Sequence, residues 1–322
     1  MSKAIKIWLV IASVVMIIGM LICSIVMTVL EWDFSKLSTV TYEKNDYTIT
    51  EGYRNISIIS DTSDIEFVRT DEEKTTVICY EESEARHSVR VKEDCIEIKL
   101  TDSRKWYERI DITSGNPKIT VLLPNACAEV SIKGSTGDVV LPDDFTFDRI
   151  HVSLSTGDVL CSADTLQETS IKTGTGNIDL IDSHCGSLAL RVTTGKINVE
   201  NTYCESDVSI EVSTGKTYVN DLYADRFSSS GNTGDILLKN VTPISEISIV
   251  RSTGDVTFES CDASKIFVQT DTGDVQGTLL SEKTFVTSTD TGKIDVSKTA
   301  NGGKCEIITD TGDIKISVKN EK

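Results

Sequence analysis

The chain has 322 residues and carries 50 acidic against 32 basic side chains, a net charge of −18. A chain this negative lacks the basic face that a nucleic-acid partner needs, and its apolar content of 39% is too high for a disordered acidic polymer. With 4 Pro and 20 Gly it falls outside the fibrous classes, and it is long enough for one large domain or two ordinary ones.

The first element is an uncharged run of 24 residues from Ile7 to Leu30. As a helix it spans roughly 36 Å, enough for a hydrocarbon layer of about 30 Å with some tilt. Trp8 and Trp32 lie at its two ends, Lys3 and Lys6 precede it, and Glu31 and Asp33 follow. The positive-inside rule therefore predicts a cytoplasmic tail at 1–6, a transmembrane anchor at 7–30 and everything after it outside the cell membrane. A cleaved signal peptide is the rival reading, but Met27-Thr28-Val29-Leu30 offers no small-residue cleavage site. Ile22 is too bulky for Cys23 to mark a lipoprotein site. The exported part holds 30 basic against 50 acidic residues, a surface that attracts cations or basic partners.

Residues 31–50 read as a polar spacer. Residues 51–125 are β-rich and irregular: Ile56 and Ile58 followed by Asp61-Thr62-Ser63-Asp64-Ile65 resemble a degenerate repeat, and Ile119, Val121 and Leu123 lead into the regular region. This stretch is expected to form an N-terminal cap and first rungs; a separate small β domain is the other reading.

From residue 126 to 318 a Thr-Gly pair recurs ten times at intervals of 19 or 20 residues, with Gly137, Gly157, Gly176, Gly195, Gly215, Gly234, Gly254, Gly273, Gly292 and Gly312. The second residue after Gly is Val or Ile in nine of the ten copies, Thr217 being the exception. Alternation of period two flanks a polar turn, which reads as strand, turn, strand, and Gly at one fixed position asks for a positive φ or for room no side chain leaves. A unit this short cannot bury its apolar face alone but can do so stacked on copies of itself. The predicted fold is all-β: a parallel β-helix (β-solenoid), expected to be right-handed, rising about 4.8 Å per motif to a rod on the order of 50 Å. The Thr residues should form one ladder along it. The charged tail at 319–322 should discourage end-to-end stacking.

The anchor, the ragged β segment, the I-T-V-L-L-P strand at 119–124 and V-S-I-K-G-S-T-G-D-V at 130–139 together resemble the bacterial "putative adhesin" family of membrane-anchored β-strand-repeat proteins. The resemblance covers about residues 50–318. It implies a domain of unknown biochemical function without catalytic residues, some of whose members are encoded near regulators of cell-envelope stress.

Asp-Thr-Gly occurs at 271–273, 290–292 and 310–312, the tripeptide of pepsin-like proteases, but every copy lies in the repeat phase and reads as a turn. Asp271, Asp274, Asp290, Asp310 and Asp313 place carboxylates around consecutive turns, a donor type suited to calcium. Against that, the β-roll nonapeptide is missing and Lys293 falls inside the cluster. Cys185 and Cys204 both lie nine residues past their Gly, so adjacent rungs should bring them within disulfide range. Cys161 and Cys305 fall at core phases. His87, His151 and His184 read as isolated. No insertion is available to wall a cleft, which disfavours a polysaccharide-cleaving β-helix enzyme. The expected function is a non-catalytic, cofactor-free surface module that contacts an envelope polymer or another surface protein; a carbohydrate-active enzyme and a structural spacer are the alternatives.

Overall fold

The computed structural model describes residues 2–33, 41–102, 115–125, 127–299 and 301–319. The helix runs Lys3–Val29, capped at its start by Ser2, whose Oγ accepts the N–H of Ile5. Its span Ile5–Val29 has a mean hydropathy of 2.9 and, Met27 apart, its described side chains are exposed, so it is long and apolar enough to cross a membrane. Ser13 and Thr28 return their hydroxyls to the carbonyls of Leu9 and Ser24, which keeps both polar groups satisfied without water. Glu31 and Trp32 take left-handed backbone angles and end it.

The rest is a parallel β-solenoid. Each rung, identified by its turn glycine, has a strand before the Thr-Gly turn and one after it. The Gly215 rung, for instance, comprises Asp207–Thr214 and Thr217–Tyr223. Matching strands of successive rungs pair in parallel and in register, so Thr136, Thr156, Thr175, Thr194 and Thr214 stand in one row that continues along the rod. Inward columns such as Val139, Val159, Ile178 and Ile197, or Leu141, Cys161, Leu180 and Val199, are fully buried. Alternation in the sequence becomes one continuous core because each rung hides the exposed end of the one before.

Nine of the ten turn glycines have φ between 130° and 156°; Gly292, on the outermost rung, does not. Space is the stricter demand. A Cβ on Gly157 would lie 2.0 Å from the carbonyl oxygen of Gly137, and on Gly215 only 1.6 Å from that of Gly195. A second corner lies six residues after Gly, where Asp182, Asn201, Asp221, Asn240 and Ser260 all adopt left-handed φ near 50°. Asn201 and Asn240 donate from Nδ2 to the Asp182 and Asp221 carboxylates of the preceding rungs.

The ends depart from one storey per motif. The strand Lys265–Thr272 pairs with Gly303–Thr311, and that strand pairs in turn with Lys283–Thr291. The following strands repeat the pattern. The stacking order is therefore Gly273, Gly312, Gly292: the last rung in sequence is inserted, and the Gly292 rung is outermost. At the other end Asn55–Ser60 and Asp64–Arg69 form a rung held between Glu129–Leu141 on one side and Cys95–Asp102 with Lys118–Leu123 on the other. Antiparallel strands Thr76–Glu82 and Ala85–Lys92 close this end. Residues 31–50, expected as spacer, contain the strand Tyr42–Thr48, which pairs with Thr76–Glu82. Residues 34–40, 103–114 and most of the 319–322 tail lie outside the described residues.

The polar side chain of Arg251 crosses the core. Arg251, 1% exposed, donates to the Val212 carbonyl and to Thr217 Oγ1, at 2.7 and 3.0 Å. It passes over Gly231, where a Cβ would meet Nη1 at 1.9 Å. Thr217, the exception in its apolar column, is thus the acceptor for a buried guanidinium whose pKa burial lowers to about 10.

Gly215→Ala should destabilise the protein by roughly 2–5 kcal/mol in denaturant unfolding, combining backbone strain with a clash against backbone. Gly52→Ala, with nothing within 4 Å of the new Cβ, is the control and should change stability by under about 0.5 kcal/mol. Arg251→Ala should cost about 2–4 kcal/mol through the cavity it leaves, whereas Arg251→Met, which keeps the volume and removes the desolvated charge, should cost at least about 1 kcal/mol less.

Candidate functional site

The acidic residue after each Gly has a structural task. The Oδ1 of Asp64 accepts the backbone N–H of Asp138, that of Asp138 the N–H of Asp158, and that of Asp158 the N–H of Asn177, at 2.7–2.9 Å. The series breaks at Lys196 and Lys216, whose side chains cannot accept, and Lys216 pairs with Asp235 at 2.9 Å instead. That pairing holds the Asp235 carboxyl below its usual range. The series resumes through Asp235, Asp255, Asp274 and Asp313, which serve the N–H groups of Asp255, Asp274, Asp313 and Lys293. Lys293 belongs to the outermost rung, and among the described residues no further storey offers it an N–H. Its place at the end, rather than inside the acidic cluster, follows from the permuted stacking.

This changes the reading of the calcium candidates. Asp274 and Asp313 already accept neighbouring N–H groups. Asp271, Asp310 and Asp290 form an exposed row in that spatial order, since Thr270, Thr309 and Thr289 stand in register beside them. Among the described residues these five do not bring three ligand atoms within 4.8 Å of one another.

Cys185 and Cys204 are joined by a disulfide between adjacent rungs. His184 receives an Asp164 carboxylate at its backbone N–H and leans on Tyr203, which stacks on Tyr223 with ring centroids 5.0 Å apart. The other cysteines are free, and Cys79, Cys127, Cys161, Cys261 and Cys305 are buried. Burial pushes the thiols of Cys127, Cys161 and Cys305 up to about 12 and that of Cys261 to about 11, so the reactive thiolate is suppressed.

The group that does converge is Cys79, Glu81 and His87, with one ligand atom from each inside 4.8 Å and all three residues buried. Period two on the strand Thr76–Glu82 turns Cys79 and Glu81 to the same inner face. The chain reverses after Glu82, and Ala85–Lys92 carries His87 back beside them. His87 is therefore not isolated. Its Nδ1 lies 2.7 Å from Glu81 Oε2, which also accepts the His87 backbone N–H at 2.5 Å. Asn45 donates to Glu81 Oε1 at 2.8 Å, and His87 Nε2 meets Ser60 Oγ at 3.2 Å. Burial first, then the charges of Glu81 and Asp46, raise the Cys79 thiol to about 12. Glu81 and His87 also line a cleft of about 400 Å³ with Asp61, Ser63 and Asp102. The signal available in the sequence was the pair Cys79-x-Glu81 on an alternating strand followed by a short reversal to His87.

Maleimide should label the native chain at no more than Cys23 and Cys95. Denaturation should expose five further thiols, and reduction two more, counted by intact mass.

The Toastrack DUF4097 family model matches residues 53–211 and 202–322. A "putative adhesin" from Bacteroides fragilis is similar in structure at 16% identity, covering 87% of this chain and 97% of that one, with a TM-score of 0.41. A "putative lipid binding protein" from Parabacteroides distasonis shows 15% identity, coverage of 74% and 95%, and a TM-score of 0.48. A "putative adhesin" from Parabacteroides merdae shows 10% identity, coverage of 74% and 97%, and a TM-score of 0.45. No curated protein matches the sequence. Two matches that together run from the N-terminal cap through the inserted last rung carry the assignment: the chain belongs to the Toastrack DUF4097 family.

Proposed function

We propose that this is a single-pass membrane protein that holds a non-catalytic solenoid outside the cell, for adhesin-like contact with an envelope polymer or a surface protein. The observation that carries the reading is the unbroken rung spacing from Gly137 to Gly273 behind a largely exposed apolar helix. The faces between those turns bear no insertion, and clefts gather at the N-terminal cap and at the rungs from Gly234 onward. Long, regular faces suit an extended, repetitive partner. The Cys185–Cys204 disulfide fits an oxidising compartment. The aspartates that a polysaccharide-cleaving enzyme would need at the distal rungs are occupied as acceptors for neighbouring N–H groups.

The test uses the full chain in nanodiscs incubated with purified cell-envelope polymers and, separately, with solubilised surface proteins, while protease is added to intact cells to report topology. The expected result is removal of the solenoid from outside and retention of one partner class with no change in polymer length. Depolymerisation that disappears in Asp274→Asn, a change that keeps the Oδ1 acceptor, would make the protein an enzyme instead. Retention of neither class would leave a spacer.

A further inference from the structure

We propose that Cys79, Glu81 and His87 form a binding site for one thiophilic divalent transition metal ion of the zinc class. The inference stands apart from the adhesin-like reading and uses none of the solenoid faces.

The donor set selects the ion. A sulfur, an imidazole nitrogen and a carboxylate oxygen suit zinc or cobalt(II), whereas calcium and magnesium take oxygen shells. The arrangement of partners selects the atoms. Outer atoms are held from outside the cluster: Glu81 Oε1 by Asn45 Nδ2, and His87 Nε2 by Ser60 Oγ. The inner atoms, Glu81 Oε2 and His87 Nδ1, face each other and the Cys79 sulfur, and Oε2, which also accepts the His87 backbone N–H, has a further lone pair for an ion. That division is the one seen around metal-ligating histidines and carboxylates, where the second polar atom is fixed by a neighbour.

Distances fit as well. A tetrahedral zinc ion holds ligand atoms roughly 3.4 Å apart. The Glu81–His87 contact of 2.7 Å would open slightly and the sulfur would close from within 4.8 Å. On binding, the Cys79 thiol proton leaves to solvent, and the proton that the 2.7 Å contact places between His87 Nδ1 and Glu81 Oε2 is also given up by exchange with solvent, so that Nδ1 is free to ligate and the neutral ring carries its one proton on Nε2, donated to Ser60 Oγ. Thiolate and carboxylate together then neutralise the ion, which removes the cost of burying the carboxylate charge beside sulfur. A histidine–glutamate pair serving structure alone has no use for the thiol. Because Glu81 and His87 line the 400 Å³ cleft, the ion has a path in and water can take the fourth position.

Zinc and cobalt(II) are titrated into the full chain in detergent. One equivalent should bind, cobalt should give a near-ultraviolet thiolate charge-transfer band, and zinc should displace it. Cys79→Ser should abolish the band, and both Cys79→Ser and His87→Gln should weaken zinc binding by at least about tenfold. Cys95→Ser should change neither. Crystals of the unaltered protein grown with zinc should show an anomalous peak between the three side chains, a readout that does not depend on any variant folding. Absence of that peak, stoichiometric binding unchanged in Cys79→Ser, or binding lost only in Asp310→Asn would each overturn the proposal.

Discussion

How closely one storey can approach the next at the Thr-Gly corner decides most of this structure. Backbone carbonyl of one glycine presses on the α-carbon of the next, with no room for a methyl group. Only at that spacing can the flanking strands pair on both sides, the threonines line up, and an aspartate after the glycine reach the N–H one storey away. The repeat is thus less a recurring recognition motif than a recurring steric allowance. The chemistry around it follows the same logic: an acceptor one storey away for most of the N–H groups after the glycines, interrupted where Lys196 and Lys216 stand in the same row.

Between the stacked rungs the core takes in the long charged side chain of Arg251. Arg251 lies where its column elsewhere holds small or apolar residues, and two other positions adapt to it: Gly231 makes room and Thr217 accepts. Arg251 Nε, Ser229 Oγ and Thr270 Oγ1 have no partner among the described residues. A polar inclusion of this kind fixes which rung sits on which, because a one-storey slip would set the guanidinium against isoleucine.

Much of this was legible in the residues. The period, the glycine column, the inward alternation, the disulfide and the degenerate rung at Asp61–Ile65 all depend on local spacing, which sequence displays directly. What stayed hidden depends on pairing between segments that are not neighbours in sequence. Nothing in the motif at Gly292 differs enough from that at Gly312 to say that the two exchange places, since a lysine after the glycine also occurs at Lys196 and Lys216 on rungs stacked in plain order. His87 looked solitary because its companions lie six and eight residues back on another strand. The corner at Asp182, Asn201, Asp221 and Asn240 was equally periodic, but without glycine to mark it.

The interleaved ends bear on how such a rod withstands load. A stack wound strictly in order can be unpeeled from its free terminus, each strand releasing one ladder at a time. Here the final strands, Gly303–Thr311 and Ile314–Val318, are clasped on both flanks, by Lys265–Leu279 and by Lys283–Val296. Tension on the C-terminus has to shear two ladders together. The distal tip is fastened like a rope whose end is tucked back beneath its last loop.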